Sequence, residues 1–223
     1  MIVLATPHTR YDRVDEALSR NDIAFTRLRS PGELTPGRLA SLKPRYVFFP
    51  HWSWKIPADV YTAYECVIFH MTDVPFGRGG SPLQNLIVRG HTDTMLTALR
   101  CDDGMDTGPV YLKRPLTLDG TAEKILTRAA ALMVEMIVTI VRTEPDPVPQ
   151  RGDPTLFKRR RPEDGDMSGL DDLGKVYDYI RMLDGEGYPP AFIETDHFRF
   201  EFTRAVTDSA EVRADVRIVR KPS

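Results

Sequence analysis

Two side chains that can move protons stand at the ends of two apolar runs in this 223-residue chain. Val67-Ile-Phe leads directly into His70, and Thr94–Arg100 leads through Cys101 into Asp102-Asp-Gly-Met-Asp106-Thr-Gly108. An imidazole changes charge near neutral pH, and a carboxylate beside it orients the ring and supports proton transfer. Taken singly, His70 reads equally as a hydrogen-bonded strand end, and the Asp106 turn as an ordinary Asx-type turn. The acidic turn lacks DxDxDG spacing and has no His/Cys set near it, so no metal is predicted. Gly77-Arg78-Gly79-Gly80 precedes a helix and offers backbone N–H groups and a guanidinium to an anion. It has neither GxxxxGK nor GxGxxG spacing. His51 ends a further apolar run, and Trp52 and Trp54 share its loop. Indole faces suit a flat ring system, though packing explains them as well. The basic run Lys158–Arg161 reads as a solvated face or as a phosphate contact.

Proton chemistry at His70 and Asp106 requires strands that end on one edge. Apolar runs at Met1–Ala5, Ile23–Leu28, Tyr46–Pro50, Cys66–Phe69, Thr94–Arg100 and Val110–Leu116 read as strands. Helical stretches alternate with them at Tyr11–Asn21, Arg38–Leu42 and Ser81–Arg89, with Ser81 as N-cap and Pro82 at the first position. Thr121–Arg142 is the most regular helix, with Thr121 as cap and one wide apolar face from Ile125 to Ile140. The alternation predicts an α/β fold: a Rossmann-like, mostly parallel sheet with helices on both faces. Ligands of such sheets bind outside the carboxyl ends of the strands, where His70 and His51 stand. Glu144-Pro-Asp-Pro-Val-Pro149 marks a change in composition. The expected organisation is a catalytic core over 1–143, a Pro-rich and basic linker over 144–162, and a small C-terminal α+β appendage over 163–223. In the last, Asp171–Asp184 reads as a helix and Ala191–Ile193, Phe198–Thr203 and Val212–Val219 as antiparallel strands.

The bulk properties narrow the partners. Hydrophobic residues make up 41% and charged residues 28%, the balance of a globular protein. A net charge of -2 provides no global field toward nucleic acid or anionic lipid, so neither partner is expected. No apolar run reaches the roughly 20 residues of a membrane span. Cys66 and Cys101 sit in apolar runs and read as reduced thiols, which points to the cytoplasm. A homodimer is compatible with this composition.

The ordered motifs resemble the formyltransferase family, which includes methionyl-tRNA, glycinamide-ribonucleotide and amino-sugar N-formyltransferases. The matching stretches are His70-Met-Thr-Asp-Val-Pro75, Arg78-Gly-Gly, Pro82-Leu-Gln84, Asp106-Thr-Gly108 and Pro115–Glu123, continuing to Arg161-Pro-Glu-Asp-Gly165 and Tyr188-Pro-Pro-Ala-Phe192. They span most of residues 46–205. The resemblance implies transfer of a formyl group from 10-formyltetrahydrofolate, with His70 and Asp106 catalytic and no metal. It implies a folate pocket walled by Trp52, Trp54 and Asp103, and substrate contacts from Arg78, Gly79, Gly80 and Gln84. The family's oxyanion-holding asparagine is replaced by Ile68, and losing such a donor costs about 2.7–4 kcal/mol unless another group substitutes. His51, on the neighbouring strand end, is the expected substitute. The short appendage and acidic pI favour a small amino-sugar acceptor over tRNA. A folate-dependent deformylase and a non-catalytic folate- or sugar-binding protein are the alternatives.

Overall fold

The computed structural model describes residues 1–208 and 210–221; residues 209, 222 and 223 of the predicted appendage lie outside the described residues. In chain order the elements are β1 (Ile2–Ala5), α1 (Asp12–Arg20), β2 (Phe25–Leu28), α2 (Pro36–Leu42), β3 (Tyr46–Phe49), α3 (Ala58–Tyr61) and β4 (Cys66–His70). There follow β5 (Arg78–Gly79), α4 (Pro82–Ile87), β6 (Asp93–Arg100), β7 (Val110–Thr117), α5 (Ala122–Thr143) and β8 (Leu156–Phe157). The chain ends in α6 (Leu173–Leu183), β9 (Ala191–Glu194), β10 (Phe198–Thr207) and β11 (Val212–Arg220). Two compact units result: Met1–Gly79 with Thr94–Leu116 and Thr127–Leu156, and Gly80–Asp93 with Thr117–Leu126 and Phe157–Ser223.

The first unit is built on a sheet of order β2-β1-β3-β4-β6-β7. Every residue of β1 and β3 is buried, as strands covered on both faces must be, which explains their unbroken apolar sequence. β2, β1, β3 and β4 run parallel, whereas β6 runs antiparallel to β4, pairing His70 with Thr97. The sheet is therefore mixed. Register aligns Phe49 with Ile68, so the segments leaving β3 and β4 emerge side by side at the carboxyl edge. Beneath that edge Val3, Ala5, Val47, Phe49, Val60 and Cys66 form a core against which Ile68 and Trp52 pack. The Val and Phe side chains among them each contribute about 1.5–3 kcal/mol by leaving water. Thr35 caps α2 by accepting from Arg38 N–H at 3.3 Å, with Pro36 in the first turn.

In the second unit β9, β10 and β11 form an antiparallel sheet. Asp172 caps α6 by accepting from Lys175 N–H at 2.8 Å. The buried Arg181 is satisfied by Asp178 and by the carbonyls of Leu118 and Gly120. The sheet's cations are neutralised locally: Arg199 and Lys221 pair with Glu194, Arg217 with Glu201, and Arg204 with Asp215. The capping role expected of Ser81 is not what the structure shows. Ser81 has φ 51°, its side chain makes no cap bond, and its Oγ accepts from Arg160 N–H at 3.0 Å instead. Among the described residues no helix is long and apolar enough to cross a membrane.

Candidate active site

His70 is the last residue of β4, and its side chain is only 8% exposed. Strand alternation places it on the same face as Ile68. Its Nε2 lies 2.8 Å from the Gly77 carbonyl oxygen, an obligate acceptor, so Nε2 carries the proton and donates. Its Nδ1 lies 3.5 Å from Asp106 Oδ2, within ion-pair distance when the ring is protonated. That same carboxylate oxygen accepts from Gly79 N–H at 2.9 Å. Asp106 has φ 55°, a left-handed backbone that costs a non-glycine residue about 1–2 kcal/mol and persists only where its surroundings impose it. The turn that imposes it is tied by Asp102 Oδ1, which accepts from Gly104 N–H at 3.2 Å and from Thr107 Oγ1 at 2.7 Å. A second tie comes from Gln150, whose Nε2 donates to the carbonyls of Asp106 and Gly108, each at 2.8 Å. Behind the site Thr97 Oγ1 donates to the Thr72 carbonyl at 2.7 Å, fixing the chain that leaves β4.

Such a set can hold an imidazolium, orient a ring and offer a donor to a developing oxyanion in a largely dry environment. It does not offer a thiolate. Burial, with Asp102 and Asp106 adding to it, pushes the Cys101 thiol up to about 11, and burial pushes Cys66 higher still. Among the described residues no group of three or more His, Cys, Asp or Glu could hold a metal ion.

The β3 end is different in character. His51, with φ 51°, turns its ring toward the β1 side, 4.6 Å from the ring of His8 and 6.5 Å from that of Tyr11. Burial, then the nearby charges of His8 and Arg10, lowers its pKa from 6.5 to about 4, so it is neutral at pH 7. His51 Nδ1, Trp52 Nε1 and the Thr6 hydroxyl are buried with no hydrogen-bond partner among the described residues. Trp52 packs edge-on against Phe49 at 5.8 Å and against Trp54 at 4.9 Å, and Trp54 is 44% exposed.

The structure thus brings His70, Asp106 and Gly79 together, and leaves His51 facing His8. The expected ligand groups Arg78 and Gln84 are engaged internally. Arg78 Nε and a terminal guanidinium nitrogen both donate to Gln150 Oε1, and buried Gln84 Nε2 donates to the Met182 carbonyl at 3.1 Å. Gly80 is required by close packing, since a Cβ there would lie 2.5 Å from Arg159 Cβ. Asp103 is exposed on the Asp106 turn. In the second unit Gln84 also lines a cavity of about 100 Å³ with Ser81, Arg160, Arg161 and Tyr188. Sequence reasoning missed Gln150, which no periodicity or motif singles out, and the Gly77 carbonyl.

Residues 162–219 match the family model described as methionyl-tRNA formyltransferase, C-terminal domain. A solved structure titled methionyl-tRNA formyltransferase from Clostridium thermocellum is 44% identical, with a TM-score of 0.95 and 99% of both chains covered. The methionyl-tRNA formyltransferase of Thermodesulfovibrio yellowstonii is 24% identical over 152 residues, 65% of this chain and 49% of that protein. HypX from Aquifex aeolicus, solved in complex with tetrahydrofolic acid, shares the fold at 18% identity and a TM-score of 0.77, over 92% of this chain and 37% of its own. This chain spans about half the length of the curated relatives it matches, or less.

These matches overturn the acceptor expected from sequence, a small amino sugar with no nucleic acid. A relative covering the same length carries the methionyl-tRNA formyltransferase title, so a short C-terminal region does not argue against that class. Net charge is a weak guide to the acceptor for a physical reason. It sums 30 basic and 32 acidic residues, and so hides where the unneutralised cations stand. Lys158, Arg159 and Arg161 are consecutive or nearly so, are exposed, and have no ion-pair partner among the described residues.

Proposed function

This chain belongs to the formyltransferase family, and on that premise we propose that it moves a formyl group from 10-formyltetrahydrofolate to the α-amine of methionyl-tRNA. The observation that carries the reading is the His70–Asp106–Gly79 cluster at the carboxyl edge of the sheet. The acceptor amine forms a bond to the formyl carbon, and the carbonyl π pair moves to oxygen. Collapse then breaks the bond to N10 of the folate, which takes up a proton in place of the one the amine sheds. His70 Nε2–H is the donor available to the oxyanion, given up by the Gly77 carbonyl as charge develops on the substrate. Asp106 faces Nδ1 as an acceptor, so it stabilises the imidazolium in which both ring nitrogens carry protons, and its carboxylate is the base available for the proton the amine sheds. The exposed Trp54 face and the unpartnered Trp52 Nε1 support a folate ring beside the 51–54 loop, one face stacked and one acceptor bonded.

The unneutralised Lys158, Arg159 and Arg161 support an acceptor that carries phosphates. Their backbone is pinned: Lys158 O accepts from Asn85 Nδ2 at 2.8 Å, and Arg160 N–H donates to Ser81 Oγ. The test is tetrahydrofolate release from 10-formyltetrahydrofolate with methionyl-tRNA, with nucleotide-linked amino sugars, and with no acceptor. Release that requires methionyl-tRNA is expected. Equal release without an acceptor would make the protein a hydrolase, and none under any condition would remove the enzymatic reading. Neutralising Lys158, Arg159 and Arg161 together should lower the salt slope of tRNA binding by about 2–3, since each lost phosphate contact is worth about 1.

A further inference from the structure

Gln150 lies in the proline-rich segment that leaves α5, where composition suggests only a spacer. The segment is instead anchored: Val148 and Val110 exchange N–H···O bonds of 2.8 Å, and Thr155 O accepts from Arg78 N–H at 3.0 Å. Between these anchors the Gln150 side chain has both ends occupied. Its Nε2 donates to the carbonyls of Asp106 and Gly108, and its Oε1 accepts twice from the Arg78 guanidinium, at 2.8 and 3.1 Å. Two donors meet two carbonyls and two lone pairs meet two N–H groups, so the amide is saturated. Its orientation is dictated as well. Reversed, it would set an oxygen against two carbonyls and an NH₂ against a cation.

The bonds close on themselves. From Gln150 they pass to the Arg78 guanidinium, along the chain to Gly79 N–H, across to Asp106 Oδ2, and through the Asp106 carbonyl back to Gln150. His70 Nδ1 meets this ring at Asp106 Oδ2. We infer that Gln150 is a positioning residue, tying Arg78 to the turn that carries Asp106 and so fixing the carboxylate that orients His70. The inference rests on the formyl-transfer reading for its kinetic consequence, and on geometry alone for its spectroscopic one. Arg78 acts in it as the partner that holds the amide, a different task from gripping substrate.

Gln150→Glu and Gln150→Leu test it. Glutamate keeps the acceptor for Arg78 but sets a carboxylate against two carbonyls, and leucine removes both halves. In each, kcat for formyl transfer should fall about 10- to 100-fold, the scale of small misplacements in a reacting group, with KM for the folate changed less than about twofold. The Gly79 amide proton, bonded to the Asp106 carboxylate in wild type, should move upfield and exchange at least about tenfold faster. A residue that merely stabilises the fold would lower Tm and leave that resonance in place. Wild-type kcat in either variant, or a fall in kcat with the Gly79 resonance unmoved, overturns the assignment. Should Gln150→Leu not fold, the near-isosteric Gln150→Glu carries the test. A wild-type protein that transfers no formyl group counts against the proposed function, and the Gly79 resonance still decides the tie.

Discussion

The ends of β4 and β3 stand side by side on one sheet edge, yet they treat their polar groups in opposite ways. At the β4 end both nitrogens of His70 have partners, and Asp106 is tied through its carboxylate and its carbonyl. At the β3 end His51 Nδ1 and Trp52 Nε1 are buried without a hydrogen-bond partner among the described residues, as is the Thr6 hydroxyl at the end of β1. An unsatisfied buried group costs about 1–3 kcal/mol, so the second arrangement is expensive in the protein as it stands. The contrast separates two tasks. Under the proposed function, the reacting groups are those held in place before substrate arrives, and the open donors at the β3 end are those a ligand would satisfy.

The largest effect should come from breaking the satisfied end. His70→Ala and Asp106→Asn should each lower formyl transfer at least about 100-fold with the fold intact, the scale of positioned acid–base groups. Steady-state kinetics and circular dichroism check this, and near-normal turnover in either variant removes the mechanism.

Next comes the cost stored at the open end. His51 has its pKa lowered from 6.5 to about 4 in the folded protein, chiefly by burial. Between those values the unfolded chain binds the proton and the folded chain does not. The stability is therefore complete above about pH 6.5 and is lost as pH falls toward 4. At about 1.4 kcal/mol per pKa unit, the loss between pH 7 and 4 reaches about 3 kcal/mol at most. Urea unfolding of wild type and His51→Gln should show that the variant loses less stability over this interval. Parallel pH profiles would mean that the ring is not buried neutral.

The smallest effect concerns the indole. If Trp52 Nε1 is reserved for the folate, Trp52→Phe should weaken binding of 5-formyltetrahydrofolate by about 0.5–1.5 kcal/mol, the worth of one hydrogen bond. Calorimetry measures it directly. Unchanged affinity would return Trp52 to a packing role against Phe49.

Much of this was legible in the residues because strands buried on both faces must be written as unbroken apolar runs, as β1 and β3 are. His70 was legible because it closes the run of β4, and Asp106 because it belongs to the acidic turn after β6, although antiparallel β6 ends beside Val67 and only the turn itself carries the carboxylate to His70. The direction of β6 was not, since an apolar run looks the same parallel or antiparallel. Arg78 and Gln84 look like ligand groups in sequence, and only side-chain geometry shows them spent on Gln150 and Met182. Gln150 itself sits among prolines, where no period marks a buried partner. The place of His51 just after the β3 run is legible, but its positive φ and the turn of its ring toward His8 have no sequence signature in a non-glycine residue.

Under the proposed function, the β4 end performs formyl transfer to an aminoacylated RNA. A single-turnover experiment with 10-formyltetrahydrofolate labelled in the formyl carbon tests it most directly, using methionyl-tRNA as acceptor and comparing wild type with Asp106→Asn. Label is expected on the α-amine of the methionyl group in wild type, with transfer at about one-hundredth of that rate or less in the variant. Label that remains on the folate, label released as formate, or equal rates in the two proteins would contradict it.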